Sequence, residues 1–235
     1  MKQDHLNFDP HVSVDCVILG YDGESLKVLL TCRGSEAPDE EYTTLKLPGR
    51  LLHTSEDLDE AAADIITLAT GKQTPLIRQF HAYGSLTRTQ NPKDVFWLEN
   101  AIKQKISRIV TIAYLSLTRI NNRTPHRTDG LDIAWYPVQE LPPLAFDHNQ
   151  IIQDTLQELY LMAGQQPQML FEMMPPKFTA AQLRHLYEQV SGKQMDVRNF
   201  AKIVMNKPYI IPLDEFEQNV SHRAARYYRF KPVKQ

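Results

Sequence analysis

Cysteine is scarce in this chain. There are two among 235 residues, Cys16 and Cys32, each inside an apolar stretch ("VDCVILG" and "LLTCRG"). Without a CxxC pair, neither a disulfide framework nor a thiolate zinc site is indicated. Buried, reduced thiols suit a reducing cytoplasm. The N-terminal "MKQDHLNFDP" has no apolar signal core, and no run approaches the length needed to span a membrane. A net charge of -2 excludes a general polycation. What remains is ordinary for a globular protein: 42% apolar and 23% charged residues, in a chain long enough for two small domains. The expected location is the cytoplasm, with no membrane partner.

The charge is unevenly spread. Residues 168–235 hold 11 Lys and Arg against 6 Asp and Glu, while the remainder holds 15 against 22. A basic C-terminal part on an acidic body suggests a polyanion-binding module. A solvated face would give the same count, so charge alone does not decide.

Hydropathy patterning divides the chain in the same place. "HVSVDCVILGYD" and "GESLKVLLTCRG" read as two strands of a hairpin around Asp22-Gly23. "EEYTTLKLPG" is a third strand, closed by Pro48-Gly49. A helix follows, with Thr54 and Asp57 fitting a capping box, or Ser55 as the cap. Its apolar face is Leu58, Ala62, Ile65, Ile66 and Ala69, and Gly71 closes it. "LIRQFHAYGSLTR" and "SRIVTIAYLSLTRI" are further strands, the second expected to be central; Asp94 to Ile106 is a short helix or an irregular excursion. Asp147 to Ala163 is helical by spacing, and Gly164 to Pro167 reads as a linker. Beyond it, "FTAAQLRHLYEQVSG" and "VRNFAKIVMN" are helices capped by Thr179 and Asp196, followed by two short strands, "YIIPLDEF" and "RAARYYRF". Helix, tight turn, helix and two-stranded wing is a winged helix-turn-helix.

Pro48 to Gly71 resembles the Nudix box, G-x5-E-x7-R-E-U-x-E-E-x-G-U with U apolar. Glu56 and Gly71 hold its register, and Arg50 stands at its first glycine. The R-E-U-x-E-E core becomes Asp64, Ile65, Ile66, Thr67, Leu68, Ala69. In active members the glutamates hold a divalent cation with oxygen ligands, which helps generate the attacking hydroxide. Ile65, Leu68 and Ala69 can do none of this. Glu56, Glu60 and Asp64 line up at i, i+4, i+8, but a solvated acidic face explains them better. Asp64 is also about 100° around the helix from the missing Glu position. No catalytic residue, metal or cofactor is therefore expected.

With "AWYPVQELPPLAFDH", "DVRNF" and the other segments in this order, nearly the whole chain resembles the Nudix-related transcriptional regulators of NrtR type. The resemblance implies an α+β chain: a Nudix-like α/β/α sandwich over residues 1–155, a linker or helix over 156–174, and a winged helix over 175–235. It implies a homodimer that binds a palindromic DNA operator and responds to a small molecule. Some members sense ADP-ribose in NAD metabolism; a branch with a non-catalytic domain responds to arabinose and controls sugar-utilisation genes. The lost acids favour the sugar-sensing branch. A Nudix hydrolase carrying a nucleic-acid module, and a protein-interaction scaffold, are the competing functions.

Candidate effector-binding residues surround the box: Arg33, Lys46, Arg50, Phe80, Tyr83, Trp97, Glu99, Arg108 and Tyr114. Each aromatic serves equally as core, and several cations suit a diphosphate better than a neutral sugar. His126, Asp147 and His148 lack a metal-ligand spacing and read as structural or capping residues. For DNA, Arg198, Asn199 and Lys202 lie on the second helix of the turn. Arg can read guanine and Asn adenine, and phosphate contact is as good an account of each. Thr179 and Gln182 lie at a helix N-terminus suited to phosphate. His222, Arg223 and Arg226 belong to the wing.

Overall fold

The computed structural model describes residues 8–33, 45–71, 76–92, 94–95, 99, 105–106, 108–120, 127–128, 131–218, 220–221 and 223–232. An eight-stranded sheet runs β5-β6-β1-β2-β8-β7, with β3 paired to β2 and β4 paired to β1. Its strands are β1 (Phe8–Tyr21), β2 (Leu26–Arg33), β3 (Leu45–Lys46), β4 (Gly49–His53), β5 (Ile77–Tyr83), β6 (Val110–Leu117), β7 (Arg127–Thr128) and β8 (Leu131–Pro137). β1 and β2 form the expected hairpin, with Leu19 opposite Val28. β6 lies parallel to β1 in the sheet interior.

Both faces of the sheet are covered, which explains why β1 reads as a nearly unbroken apolar run. Val14, Cys16 and Ile18 pack under helix α1 (Leu58–Thr70) with Ala61, Ala62, Ile65, Ile66 and Ala69. Val17, Leu19 and Tyr21 point the other way, as strand alternation requires. There they meet α2 (His148–Gln165) through Ile151, Ile152 and Leu159. Gly49 is demanded by close approach: a Cβ there would lie 2.1 Å from Asp15 Oδ1.

The cap of α1 is neither Thr54 nor Ser55. Asp57 accepts from the Glu60 amide, and Glu60 reciprocates on the Asp57 amide. Gly71 ends the helix in the left-handed region, φ 71, its amide donating to Thr67. The expected linker is also corrected. α2 runs through Gly164 to Gln165, and a 3-10 helix, Pro167–Glu172, follows at once. Met169, Leu170 and Phe171 of that 3-10 helix are buried.

The C-terminal unit comprises α3 (Ala180–Ser191), α4 (Val197–Ile203) and a three-stranded sheet β10-β11-β9. Its strands are β9 (Phe178–Thr179), β10 (Ile210–Phe216) and β11 (Arg226–Phe230). β9 adds a strand to the expected wing. Leu183, Leu186, Phe200 and Ile210 share one continuous core with β1, β2 and α2. Phe230 stacks on Phe171, centroids 4.4 Å apart and planes at 6°, so the wing is packed onto the 3-10 helix. Among the described residues, no helix is long and apolar enough to cross a membrane.

Candidate effector pocket and nucleic-acid interface

The box-like helix keeps its shape with a different set of ion pairs. Arg50 and Glu56 form a two-pronged pair, the Nη2–Oε2 contact at 2.7 Å. Glu56 Oε1 also accepts from the His53 amide, at 2.6 Å. These contacts, Arg50 first, hold the Glu56 carboxyl below its usual range. Glu56 is thus a strut for the loop before α1. Ile65 and Ala69 are buried, at 6% and 2%, while Leu68 is half exposed. Among the described residues, no group of three His, Cys, Asp or Glu side chains could hold a metal ion.

The sequence-predicted effector residues do not converge on one pocket. Lys46 opposes Thr31, and Arg50 opposes Val14. Val14 packs under α1, so by alternation Lys46 and Arg50 belong to the α1 face; the side chain of Arg33 lies outside the described residues. Lys46 Nζ donates to the Gly49 carbonyl at 2.8 Å, which brings Lys46 beside Arg50. Tyr114 is on this face too, its hydroxyl 2.6 Å from Asp59 and 3.3 Å from Gln79. Burial first, then Asp59, raise the Tyr114 phenol above its ordinary range.

Phe80 and Tyr83 pack instead against the core on the α2 side. Tyr83 donates to Asp154 of α2 at 2.9 Å. Arg108 is exposed and donates to the Gly84 carbonyl, 2.9 Å. Glu99 binds Lys105 Nζ and the Ile106 amide, at 2.8 and 2.9 Å. Trp97, His126 and His222 lie outside the described residues. One pocket built from all these residues is therefore ruled out by the sheet that separates Tyr114 from Tyr83. Among the described members of the set, Lys46 and Arg50 are the cations on the side of the box.

Sequence reading missed a buried polar cluster on the α2 face. Asp15 Oδ2 accepts from Arg88 Nη2 at 3.0 Å and from the Thr111 hydroxyl at 2.6 Å. Arg88 also pairs with Asp147, and its side chain is 3% exposed. His148 Nδ1 accepts from the Leu47 amide at 3.0 Å. That bond leaves the ring proton on Nε2, which faces Asp15 Oδ2 at 3.7 Å. Burial disfavours the Asp15 charge, but His148, Arg88 and Thr111 outweigh it and hold the carboxyl far below its ordinary range. Phe146, at φ 56, carries the Arg88 guanidinium 5.8 Å over its ring. Asp147 and His148 are therefore structural. The available signal was an aspartate in the middle of an apolar strand.

The C-terminal unit presents a cleaner surface. α3 ends at Gly192 in the left-handed region, φ 66. Glu188 then grips the turn by accepting from the Met195 amide, 2.8 Å, and from Arg184, 2.6 Å. Asp196 caps α4 through the Asn199 amide at 2.8 Å, which leaves the Asn199 side chain exposed. Phe200 is the inward anchor of α4, edge-on to Tyr187 at 5.6 Å. Arg198 and Lys202, two residues either side of it, are both exposed. They project from the opposite face by helix geometry.

Two of the expected DNA contacts, Thr179 and Arg226, have partners within the unit. Thr179 is buried, 3% exposed, and is bound up with Gln182 in a reciprocal capping box. Its hydroxyl is committed to the helix cap. Arg226 is occupied within the wing, its Nε on the Leu213 carbonyl and its Nη2 on Asp214, both at 2.6 Å. Arg223 stays exposed before β11. The unit is fixed to the sheet domain by Gln189. Its side-chain amide accepts from Leu26 N at 2.5 Å and donates to Glu24 O at 2.7 Å, at the tip of the β1–β2 hairpin. Arg119 adds a bond to the Met174 carbonyl, 2.6 Å.

The family model of the NrtR DNA-binding winged helix domain matches residues 170–230. The chain is also 24% identical, over 225 residues, to the ADPR responsive transcriptional repressor NtrR of Acinetobacter baylyi. That similarity covers 94% of this chain and 82% of the relative. The crystal structure of Shewanella oneidensis NrtR complexed with a 27mer DNA matches with a TM-score of 0.68 and 22% identity, over 94% of this chain and 93% of that one. A MutT/nudix family protein from Enterococcus faecalis matches with a TM-score of 0.63 and 21% identity, over 95% and 89%. At these identities the likeness is one of fold, a Nudix-like domain followed by a winged helix, over 94% of this chain.

Proposed function

We propose that this chain is a ligand-responsive transcriptional repressor whose Nudix-like domain binds an ADP-ribose-like effector and is not a hydrolase. The observation that carries the DNA-binding half is α4: an exposed Arg198–Lys202 pair directly opposite the Phe200 anchor, within an NrtR winged helix. The effector is argued from two directions. The Acinetobacter baylyi relative is described as ADPR responsive. On the α1 side the box carries Lys46 and Arg50, the second already paired with Glu56, and a diphosphate can draw on such groups as a neutral sugar cannot. This favours ADP-ribose over the arabinose expected from the lost acids. Those losses speak to catalysis, not to ligand identity.

The absence of hydrolysis rests on Ile65, Leu68 and Ala69, none of which can ligate a hard cation. The division into a sensing part (1–155), a connector (156–174) and a DNA-binding part (175–235) goes with this reading, as does a homodimer on a palindrome. A mobility shift with the gene's own upstream region, titrated with ADP-ribose and separately with arabinose, tests it. Release by ADP-ribose alone is expected. Release by arabinose alone would return the sugar reading, and no retardation of any DNA would remove the repressor. Turnover of ADP-ribose with Mg²⁺ or Mn²⁺ would restore the hydrolase.

A further inference from the structure

α4 carries more than its cations. Val197, its first residue, is 62% exposed although aliphatic. Four residues on, Ala201 is also exposed. Residues four apart stack on one side of a helix, so Val197 and Ala201 form a row. Arg198 and Lys202 form a second row, one residue further round. The inward side chain, Phe200, fixes which way both rows face, because it is buried against Tyr187. α4 therefore shows an apolar strip of methyl groups running beside a cationic strip. The exposed residues of the turn just before it, Lys193, Gln194 and Asp196, are polar; the other exposed aliphatic of α4, Ile203, 55% exposed, lies on the far side of Phe200 from Val197.

We infer that Val197 and Ala201 read thymine 5-methyl groups in the operator, making Val197 a specificity-determining residue of the winged helix. In the major groove the thymine methyl is the one apolar feature a protein can recognise. An aliphatic row can contact it without leaving an unpaired polar group behind. Arg198 and Lys202, beside it, take guanine or phosphate. Val197 then supplies discrimination that charge cannot, since a phosphate contact is the same at every base pair. This inference rests on the DNA-binding reading given above.

The test uses the full chain and a duplex enriched from random-sequence DNA by that chain. Each thymine in the duplex is replaced in turn by deoxyuridine, which removes the 5-methyl and nothing else. Wild-type protein should lose about threefold to fivefold in affinity at one or two positions per half-site, the worth of one buried methyl. Val197→Ser should bind the thymine and deoxyuridine duplexes equally at those positions, and Val197→Thr, which keeps one methyl, should retain part of the difference. Val197 is largely exposed, so both variants should melt with the wild type. Indifference of the wild type to every deoxyuridine overturns the inference. So does a deoxyuridine penalty in Val197→Ser as large as in the wild type. Failure to enrich any sequence is a different result, and it defeats the DNA-binding reading before any base is changed.

Discussion

Replacing Arg88 by Met tests whether the buried cluster on the α2 face holds that side of the domain together. Arg88 is 3% exposed and bridges Asp15, itself 7% exposed, to Asp147. Met keeps most of the volume and removes the charge. Asp15 would be left as a buried carboxylate with the Thr111 hydroxyl and the neutral His148 ring as neighbours. Breaking a buried pair by removing one partner costs about 3–5 kcal/mol. For a chain of this size each kcal/mol moves Tm by about 2–4 °C, so a fall of about 6–20 °C is expected by differential scanning fluorimetry. The pH dependence gives the charge origin away. In the wild type the folded Asp15 carboxyl lies below its unfolded value of about 3.9. Its contribution is therefore fully present above that value and is lost as pH falls through the folded one. In Arg88→Met one of the groups that lowers the carboxyl is gone while His148 and Thr111 stay, so the folded value rises from its wild-type position, less stability is lost on acidification, and the deficit should shrink as pH falls below about 3.9. Asp15→Asn in the same background should recover part of it. A Tm within 2 °C of wild type would refute the reasoning, as would a deficit that does not shrink below about pH 3.9 and is unmoved by Asp15→Asn; the threshold is about the shift of 1 kcal/mol.

Other consequences are smaller. Gln189→Ala removes both bonds to the hairpin tip and should cost about 1–3 kcal/mol in a urea titration, at roughly 0.5–1.5 kcal/mol per net hydrogen bond; unaltered exchange of the Leu26 amide would deny the clamp. Arg50→Ala frees Glu56, whose carboxyl should titrate closer to its ordinary range by NMR. Because its depressed value in the wild type adds stability above about pH 4.3 that is lost on acidification, the variant's acid limb should be shallower. Lys202→Ala should lower DNA affinity uniformly and reduce the salt slope by about one, whereas Arg198→Ala should also relax sequence preference. Equal losses on specific and random DNA for Arg198→Ala would leave it a phosphate contact.

Local patterns in the sequence were good guides wherever one element decides its own fate. The Asp22-Gly23 turn, the apolar face of α1 and the Asp196 cap are all settled within about a turn of chain, and the structure keeps them. The α1 cap was harder because Thr54, Ser55 and Asp57 can each cap; Glu56, taken up by Arg50 and His53, sets the loop so that Asp57 falls into place. Long-range polar contacts left almost no trace. Asp15 and Arg88 are 73 residues apart, and Gln189 reaches Leu26 across 163. No periodicity links such pairs. The effector candidates come from strands expected around the box, and membership of a strand does not tell one face of a sheet from the other, so Tyr83 and Tyr114 fall in one group although the sheet divides them.

The packing of α1 also limits what the helix can be made to do. Ile65 and Ala69 lie against Val14, Cys16 and Ile18 in a closed core. A glutamate placed at either position alone would be a buried acid without a cation to meet it, and burial would force it neutral or unfold the helix. Ligands for a metal are useful only as a set, so a site built here one carboxylate at a time would lose stability before it gained a cation.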